Sequence, residues 1–317
     1  MEKMTNNMQN YNVFVPRIVD NDEPYSSGHR GCVGCGEVLA MRLVAKAIGR
    51  NAVVCASTGC MEIISSQFPY NSWKIPWIHT LFENSAAVAS GIEAAYKVMA
   101  RKGKIPSADI SVVAMGGDGG TFDIGLQALS GALERGHDFL YVCYDNEAYM
   151  NTGVQRSSAT PFGASTSTSP AGKRRSGQHA WKKNMPSIAA AHNIPYVATA
   201  CPSYPYDLME KVKKGLAVKG PAYIQIYSSC PTGWKCDSAD AVKVGRLAVE
   251  TGAYPMYEIV NGQVNITIPT PEFRPLKEYL EIQRRFRHLT EEDIAVIEER
   301  LHKEYRELEE KSKCQNK

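Results

Sequence analysis

Residues 110–120 read Ile110-Ser111-Val112-Val113-Ala114-Met115-Gly116-Gly117-Asp118-Gly119-Gly120. The apolar run Ile110 to Met115 suits a buried strand. Thr121 to Arg135 suits the helix that follows, with Gly136 placed as its C′ residue. A glycine-rich turn between strand and helix lets the backbone approach a bulky anion, and a helix N-terminus favours negative charge. Such a turn is a weak signal alone; the acid inside it says more. An aspartate facing a diphosphate repels it unless a cation lies between them. Mg²⁺, with oxygen ligands at about 2.1 Å in octahedral geometry, suits that place. The plain alternative for Asp118 is a helix cap.

Working outward, Phe139 to Tyr144 is the next apolar strand, and Asn146 lies just beyond it, 28 residues after Asp118. A βαβ unit takes about 30 residues, so both side chains emerge at the carboxyl ends of parallel strands, where open α/β sheets bind ligands. The alternative for Asn146 is a turn residue. Upstream, Glu37 to Gly49 repeats apolar residues at helical spacing, Ala52 to Ala56 suits a buried strand, and Asn84 to Arg101 an Ala-rich helix. Downstream, Pro186 to His192 and Tyr206 to Ala217 suit helices, and Tyr196 to Ala200 and Ala222 to Ser228 suit strands. This alternation predicts an α/β fold, a mostly parallel sheet with helices on both faces. Residues 152–180 carry Ser, Thr, Pro and Gly without an apolar period, and a loop of that length in a compact domain is usually functional.

After Pro231 the pattern weakens. Residues 240–280 read as irregular, and Thr290 to Lys311 as a charged helix capped by Thr290 with Asp293. Ile294, Ile297, Leu301 and Tyr305 share one face of it, suited either to its own domain or to a partner. The expected organisation is a lead-in over 1–27, a main domain over 28–235 and a C-terminal extension over 236–317.

The 317 residues are 44% hydrophobic and 22% charged, ordinary for a globular protein. A formal charge of +3 without a basic, aromatic-interleaved stripe argues against nucleic acid. No apolar run approaches the ~18–20 residues that span a bilayer. Met1 to Asn12 is polar and lacks the apolar core of a signal peptide, so a cytoplasmic location is expected.

Nine cysteines stand at 32, 35, 55, 60, 143, 201, 230, 236 and 314. Cytoplasmic proteins seldom use structural disulfides, so a cluster of them points to metal or redox chemistry. Cys55, Cys143 and Cys201 sit in or beside apolar runs and suit burial as small apolar residues. Gly31-Cys32-Val33-Gly34-Cys35-Gly36 is a C-x₂-C knuckle, whose thiolates suit zinc or an iron–sulfur cluster. Cys60 and Cys230 each follow an apolar strand, so three cysteine loops can converge at strand ends. Cys236 is the rival fourth ligand.

The Gly-Asp-Gly turn with Asn at this distance resembles the thiamine-diphosphate fingerprint. The wider motif set resembles a family: GHRGCVGCGE (28–37), STGC (57–60), LFENSAAVASG (81–91), GGDGGTFDIG (116–125), YDNEAYMNTGVQRSSATPFGA (144–164) and SSCPTGW (228–234). These stretches are similar to the thiamine-diphosphate-binding beta subunit of the 2-oxoacid:ferredoxin oxidoreductases, in the pyruvate:ferredoxin oxidoreductase (pyruvate synthase) branch. The likeness covers 28 to about 240, and RLAVETGAYPMYE and the charged last helix continue it.

The resemblance implies that Cys32, Cys35, Cys60 and Cys230 ligate a 4Fe-4S cluster. It implies that Asp118, Asn146 and the Ala148 carbonyl hold Mg²⁺, with Gly117, Gly119 and Thr152 near the diphosphate. Asn151 is placed beside the thiazole and the substrate, as the catalytic candidate. The activity implied is coenzyme-A-dependent oxidative decarboxylation of pyruvate, or its reverse, in an oxygen-sensitive enzyme of anaerobic metabolism. The cofactor serves as electron sink, and the cluster passes electrons singly towards ferredoxin. Zinc has no redox chemistry, which favours iron–sulfur at these cysteines. Branched-chain 2-oxoacids, 2-oxoglutarate and oxalate remain open as substrates, as does a non-redox thiamine enzyme with structural zinc. The implied partners are the other subunits (alpha, gamma and delta, or fused equivalents), since neither a C-x₂-C-x₂-C-x₃-C run nor the domain activating the aminopyrimidine is present. His29 and Arg30 suit substrate contact or plain loop packing. Lys173-Arg174-Arg175 suits a solvated charge run more than a phosphate contact.

Overall fold

Strands without a polar face need cover on both sides, which a parallel sheet flanked by helices provides. The computed structural model describes residues 21–67, 69–106, 110–172 and 175–314. Its strands are β1 (Ala52–Ser57), β2 (Trp77–Thr80), β3 (Ser111–Gly117), β4 (Leu140–Asp145), β5 (Ala171–Gly172), β6 (Arg175–Ser176), β7 (Tyr196–Ala200), β8 (Ala222–Tyr227), β9 (Met256–Val260) and β10 (Gln263–Ile268). The main sheet runs β10-β9-β7-β8-β4-β3-β1-β2, with β5 and β6 apart as a small hairpin. From β7 to β2 all neighbours are parallel; β9 and β10 are antiparallel additions.

The helices are α1 (Gly36–Ile48), α2 (Cys60–Ile63), α3 (Ser85–Arg101), α4 (Leu126–Glu134), α5 (Met185–Ala190), α6 (Pro205–Ala217), α7 (Pro231–Trp234), α8 (Ala241–Glu250), α9 (Leu276–Glu281) and α10 (Glu291–Cys314). Alternate strand residues feed two cores. Val54, Val113, Met115 and Val142 pack under α1 and α6. Cys55, Val112, Ala114, Tyr141 and Cys143 pack under α3, α4 and α5. Cys55, Cys143 and Cys201 are wholly buried, as their apolar settings imply.

Three departures from the sequence reading have physical causes. The helix expected from Thr121 begins as a π-helical turn, Gly119–Ile124, and α4 starts only after Gly125. A Cβ on Gly125 would lie 2.1 Å from the Gly120 carbonyl oxygen and 2.7 Å from that of Glu83, so only glycine closes this wide turn. Residues 240–280, read as irregular, contain α8, α9 and the hairpin β9–β10. Asn261 and Gly262 both adopt positive φ, 49° and 83°, in a two-residue turn that joins Val260 to Gln263. An Asn-Gly between alternating residues is a strong hairpin signal, and it stood in the sequence. Edge strand β2 is short and half exposed, which left no periodic signature.

The last helix behaves as its cap predicts. Asp293 N–H donates to Thr290 Oγ1 at 3.2 Å, and Thr290 N–H donates to Asp293 Oδ2 at 3.0 Å. Ile297 is buried, and Ile294 and Leu301 partly so, in a core shared by the extension and the main domain; Tyr305 is buried against Phe273, its hydroxyl accepting from Thr270 N–H at 2.7 Å. The helix therefore packs on its own chain. No helix of the described residues is long and apolar enough to cross a membrane. Lys173, Arg174 and most of the 1–27 lead-in, including the polar start, lie outside the described residues.

Candidate functional site

Four adjacent strands, β8, β4, β3 and β1, end at the same edge of the sheet. Their following loops carry Cys230, Asn146, Asp118 and Cys60 respectively, so two cysteines flank the two oxygen ligands expected from the sequence. The knuckle joins them from the face covered by α1. Cys35 N–H donates to the Cys32 carbonyl at 3.1 Å, closing a turn, and Gly36 N–H donates to the Ser229 carbonyl at 2.9 Å. Gly34, at φ 71°, presses on the Ser238 backbone, where a Cβ would fall 2.3 Å from the carbonyl oxygen. These contacts tie the knuckle to the Cys230 loop.

The thiols sense one another. Cys60 lies within electrostatic reach of Cys35, Cys230 and Asp118, and Cys230 within reach of Cys32. Cys236 shares the influence of Arg285 with Cys230 but otherwise feels Asp240 and Asp237 rather than another thiol. Burial pushes the Cys35 thiol up to about 12 and Cys230 up to about 11, and raises Cys60 as well. Any metal bound here must displace those protons. As they stand, no three His, Cys, Asp or Glu side chains among the described residues are grouped closely enough to hold one ion.

Gly117 of β3 pairs with Tyr144 of β4, which sets Asp118 and Asn146 at neighbouring strand ends. Asp118 is buried, accepts from the Ser157 hydroxyl, and has its carboxyl raised well above the usual range by burial and then by Asp145. Asn146 Nδ2 donates to Glu37 Oε2 at 2.9 Å, leaving Asn146 Oδ1 and Glu37 Oε1 buried without a partner among the described residues. Burial lifts Glu37 to about 7. Trp234 Nε1 donates to the Asn146 carbonyl at 3.0 Å and Thr160 Oγ1 to the Glu147 carbonyl at 2.7 Å. No described residue donates to the next carbonyl, that of Ala148. The buried Asp118 carboxyl, the orphaned Asn146 amide oxygen and the Ala148 carbonyl are all oxygen donors on two neighbouring loops, the ligand type that a hard cation takes.

The surrounding loop is firmly held. Glu147, at φ 68°, has its carboxylate between Lys182 Nζ, 2.9 Å away, and the Arg285 guanidinium. Burial opposes its charge, yet Lys182 and Arg285 together keep its carboxyl below the usual range. Lys182 also meets Asp145 at 2.6 Å. The Tyr149 ring lies on Gly119, where a Cβ would fall 2.4 Å from it, and its hydroxyl donates to Asp123 at 2.9 Å. Gly117 is more open, with nothing nearer than 4.0 Å to such a Cβ. Asn151 and Thr152 are exposed on the following turn, outside the buried pocket; Thr152 Oγ1 donates to Gln155 Oε1 at 2.5 Å. His29 stacks on Tyr25, and Arg30 is exposed. Glu37, Ser157, Lys182 and Arg285 escaped the sequence reading; only Glu37, inside the cysteine motif, carried a local hint.

A family profile described as thiamine pyrophosphate enzyme, C-terminal TPP binding domain, matches residues 57–226, which run from the last residue of β1 through β2, β3, β4 and β7 to the penultimate residue of β8. The chain is 56% identical over 278 residues to the pyruvate synthase subunit PorB of Methanocaldococcus jannaschii, covering 87% of this chain and 93% of that one. It is 46% identical over 289 residues to the ketoisovalerate oxidoreductase subunit VorB of Pyrococcus abyssi, covering 90% and 93%. The fold is shared with a chain of the 2-oxoglutarate:ferredoxin oxidoreductase from Magnetococcus marinus, solved with 2-oxoglutarate, coenzyme A and succinyl-CoA. That match has a TM-score of 0.55 at 24% identity and covers 73% of this chain and 82% of that one. With the domain profile matching more than half of the chain and such identity along nearly the whole of its relatives, the chain belongs to the thiamine-diphosphate-binding oxidoreductase subunits that include PorB and VorB.

Proposed function

We propose that this chain holds Mg²⁺-thiamine diphosphate and a 4Fe-4S cluster in a pyruvate:ferredoxin oxidoreductase. With its partner subunits it carries out coenzyme-A-dependent oxidative decarboxylation of pyruvate or the reverse synthesis. The observation that carries this reading is the order of the loops. The cysteine loops after β1 and β8 flank the oxygen-ligand loops after β3 and β4, with Cys60 within electrostatic reach of Asp118. Bound thiamine diphosphate supplies an electron sink for loss of CO₂. Asp118, Asn146 Oδ1 and the Ala148 carbonyl would hold the cation, and the open backbone at Gly117 admits the diphosphate. Gly119 contributes backbone beneath Tyr149. Cys32, Cys35, Cys60 and Cys230 would hold the cluster, and Cys236, beside Asp237 and Asp240 and not among the other thiols, stands aside. Asn151 and Thr152, exposed on the turn that follows this loop, would meet substrate and diphosphate, Thr152 by giving up its bond to Gln155.

Pyruvate is favoured because the chain is 56% identical to a PorB and 46% to a VorB. A partner subunit at this site accounts for exposed apolar side chains beside it: Val33 in the knuckle, Ile63 beyond Cys60, and Ile78 and Leu81 at the β2 edge. The test is anaerobic purification of the complex, followed by iron analysis and coenzyme-A-dependent dye reduction with a panel of 2-oxoacids. A brown complex most active on pyruvate is expected. A colourless zinc complex would sink the cluster assignment, and a preference for a branched-chain acid would sink the substrate assignment.

A further inference from the structure

The C-terminal extension reaches the cation loop through one side chain. Arg285 sits on a single 3₁₀ turn, Arg284–Phe286, yet is 5% exposed. Its guanidinium pairs with Glu147 Oε2, donates to Gln283 Oε1 from Nε at 3.0 Å and from Nη2 at 2.7 Å, and lies 4.1 Å above the Trp234 ring. Its own carbonyl accepts from Ser165 N–H at 2.9 Å. Two of these contacts, with Glu147 and Trp234, lead to the same short peptide. Glu147 is the residue between Asn146 and Ala148, and Trp234 Nε1 holds the Asn146 carbonyl.

We propose that Arg285 is a positioning residue for the cation site, fixing the Asn146–Ala148 peptide from both sides through Glu147 and Trp234. The inference rests on the reading of Asp118, Asn146 and Ala148 as cation ligands. A glutamate at φ 68° occupies a conformation that side chains seldom adopt, so that turn must be held by its surroundings. The Glu147 carbonyl is held by Thr160 and its carboxylate by Lys182 and Arg285. In that posture the Ala148 carbonyl accepts from no described backbone N–H. Arg and not Lys suits the task, because a planar fork can bond Glu147 and Gln283 while its face stacks on an indole.

An ion pair that only stabilised the fold would leave metal affinity untouched, so affinity is the readout. The assembled complex is stripped of cofactor, and thiamine diphosphate retention is followed by equilibrium dialysis as Mg²⁺ is titrated. Loss of a residue that orients ligands costs about 10- to 100-fold in metal affinity, so Arg285→Met should raise the Mg²⁺ half-saturation at least about tenfold. Retention at saturating Mg²⁺ should match wild type. The pair Arg285→Met with Glu147→Gln removes both charges together, avoids a stranded buried ion and should show the same shift. Arg285→Lys, which keeps the charge, should show a smaller one. Wild-type half-saturation in any assembled variant lacking the guanidinium overturns the proposal. Asn146→Ala separates the two levels of the argument: if it leaves the Mg²⁺ dependence unchanged, the ligand assignment fails, whatever Arg285 does.

Discussion

Gly36→Ala tests whether the knuckle and the Cys230 loop form one rigid ligand frame. Gly36 opens α1 with an ordinary negative φ, so the backbone itself tolerates a side chain. An added Cβ would lie 2.4 Å from Ser229 Oγ and 2.7 Å from Ser229 N. The hydroxyl can rotate away, but the backbone cannot. Restoring ordinary contact, which begins near 3.4 Å, moves the Ser229 backbone by about 0.7 Å and takes Cys230 with it. Overpacking of this kind costs about 1–3 kcal/mol. Losing the Gly36 N–H bond to the Ser229 carbonyl adds about 1 kcal/mol. Together about 2–4 kcal/mol of ligand preorganisation is lost, roughly a 30- to 700-fold change in an equilibrium constant. The assay is anaerobic challenge of the complex with a ferrous chelator, read as bleaching of the visible absorption. The Gly36→Ala complex should lose iron faster by that order, while Gly91→Ala should behave as wild type. Full iron content with wild-type bleaching in Gly36→Ala would refute the claim that these two segments are locked together.

Gly91, inside α3 with nothing within 4 Å of an added Cβ, should accept alanine with a gain of about 1 kcal/mol from helix propensity, seen as a raised Tm of the complex; a lowered Tm contradicts the open environment. Cys60→Ala should abolish dye reduction and lower iron content, yet leave Mg²⁺-dependent thiamine diphosphate binding detectable; retained dye reduction would remove Cys60 from the ligand set. Glu258 is buried, which opposes its charge, but Lys214 at 3.0 Å and Tyr196 hold its carboxyl below the usual range. Its contribution to stability is complete above the unfolded value near 4.5 and is lost as pH falls through the lower folded value. Glu258→Gln should therefore flatten the acid limb of a Tm-against-pH profile, and an unchanged limb would assign that limb to other carboxylates.

What could be read in advance and what could not divide along sequence separation. The spacing of Asp118 and Asn146 was legible because one βαβ unit fixes both ends of the interval, and the structure sets them on paired strands β3 and β4. The same local logic found α10 with its Thr290 cap. The supports of those ligands were illegible because each comes from far along the chain: Glu37 reaches Asn146 across 109 residues, Trp234 across 88, and Arg285 reaches Glu147 across 138. None of the three belongs to a motif that requires it there, and Arg285 lies in a segment whose local pattern suggested no role. Yet the chemistry demanded such partners. A loop carrying Asp145, Glu147 and, close by, Asp118 in a buried edge cannot persist without cations, and Lys182 and Arg285 are the ones the fold delivers. Those two cations are committed to Asp145 and Glu147, whereas Asp118 has the Ser157 hydroxyl, a backbone N–H and distant relief from Lys182 but no ion pair among the described residues. The charge left uncompensated is therefore the one at the glycine-rich turn, where a divalent ion with an anionic ligand would complete the balance.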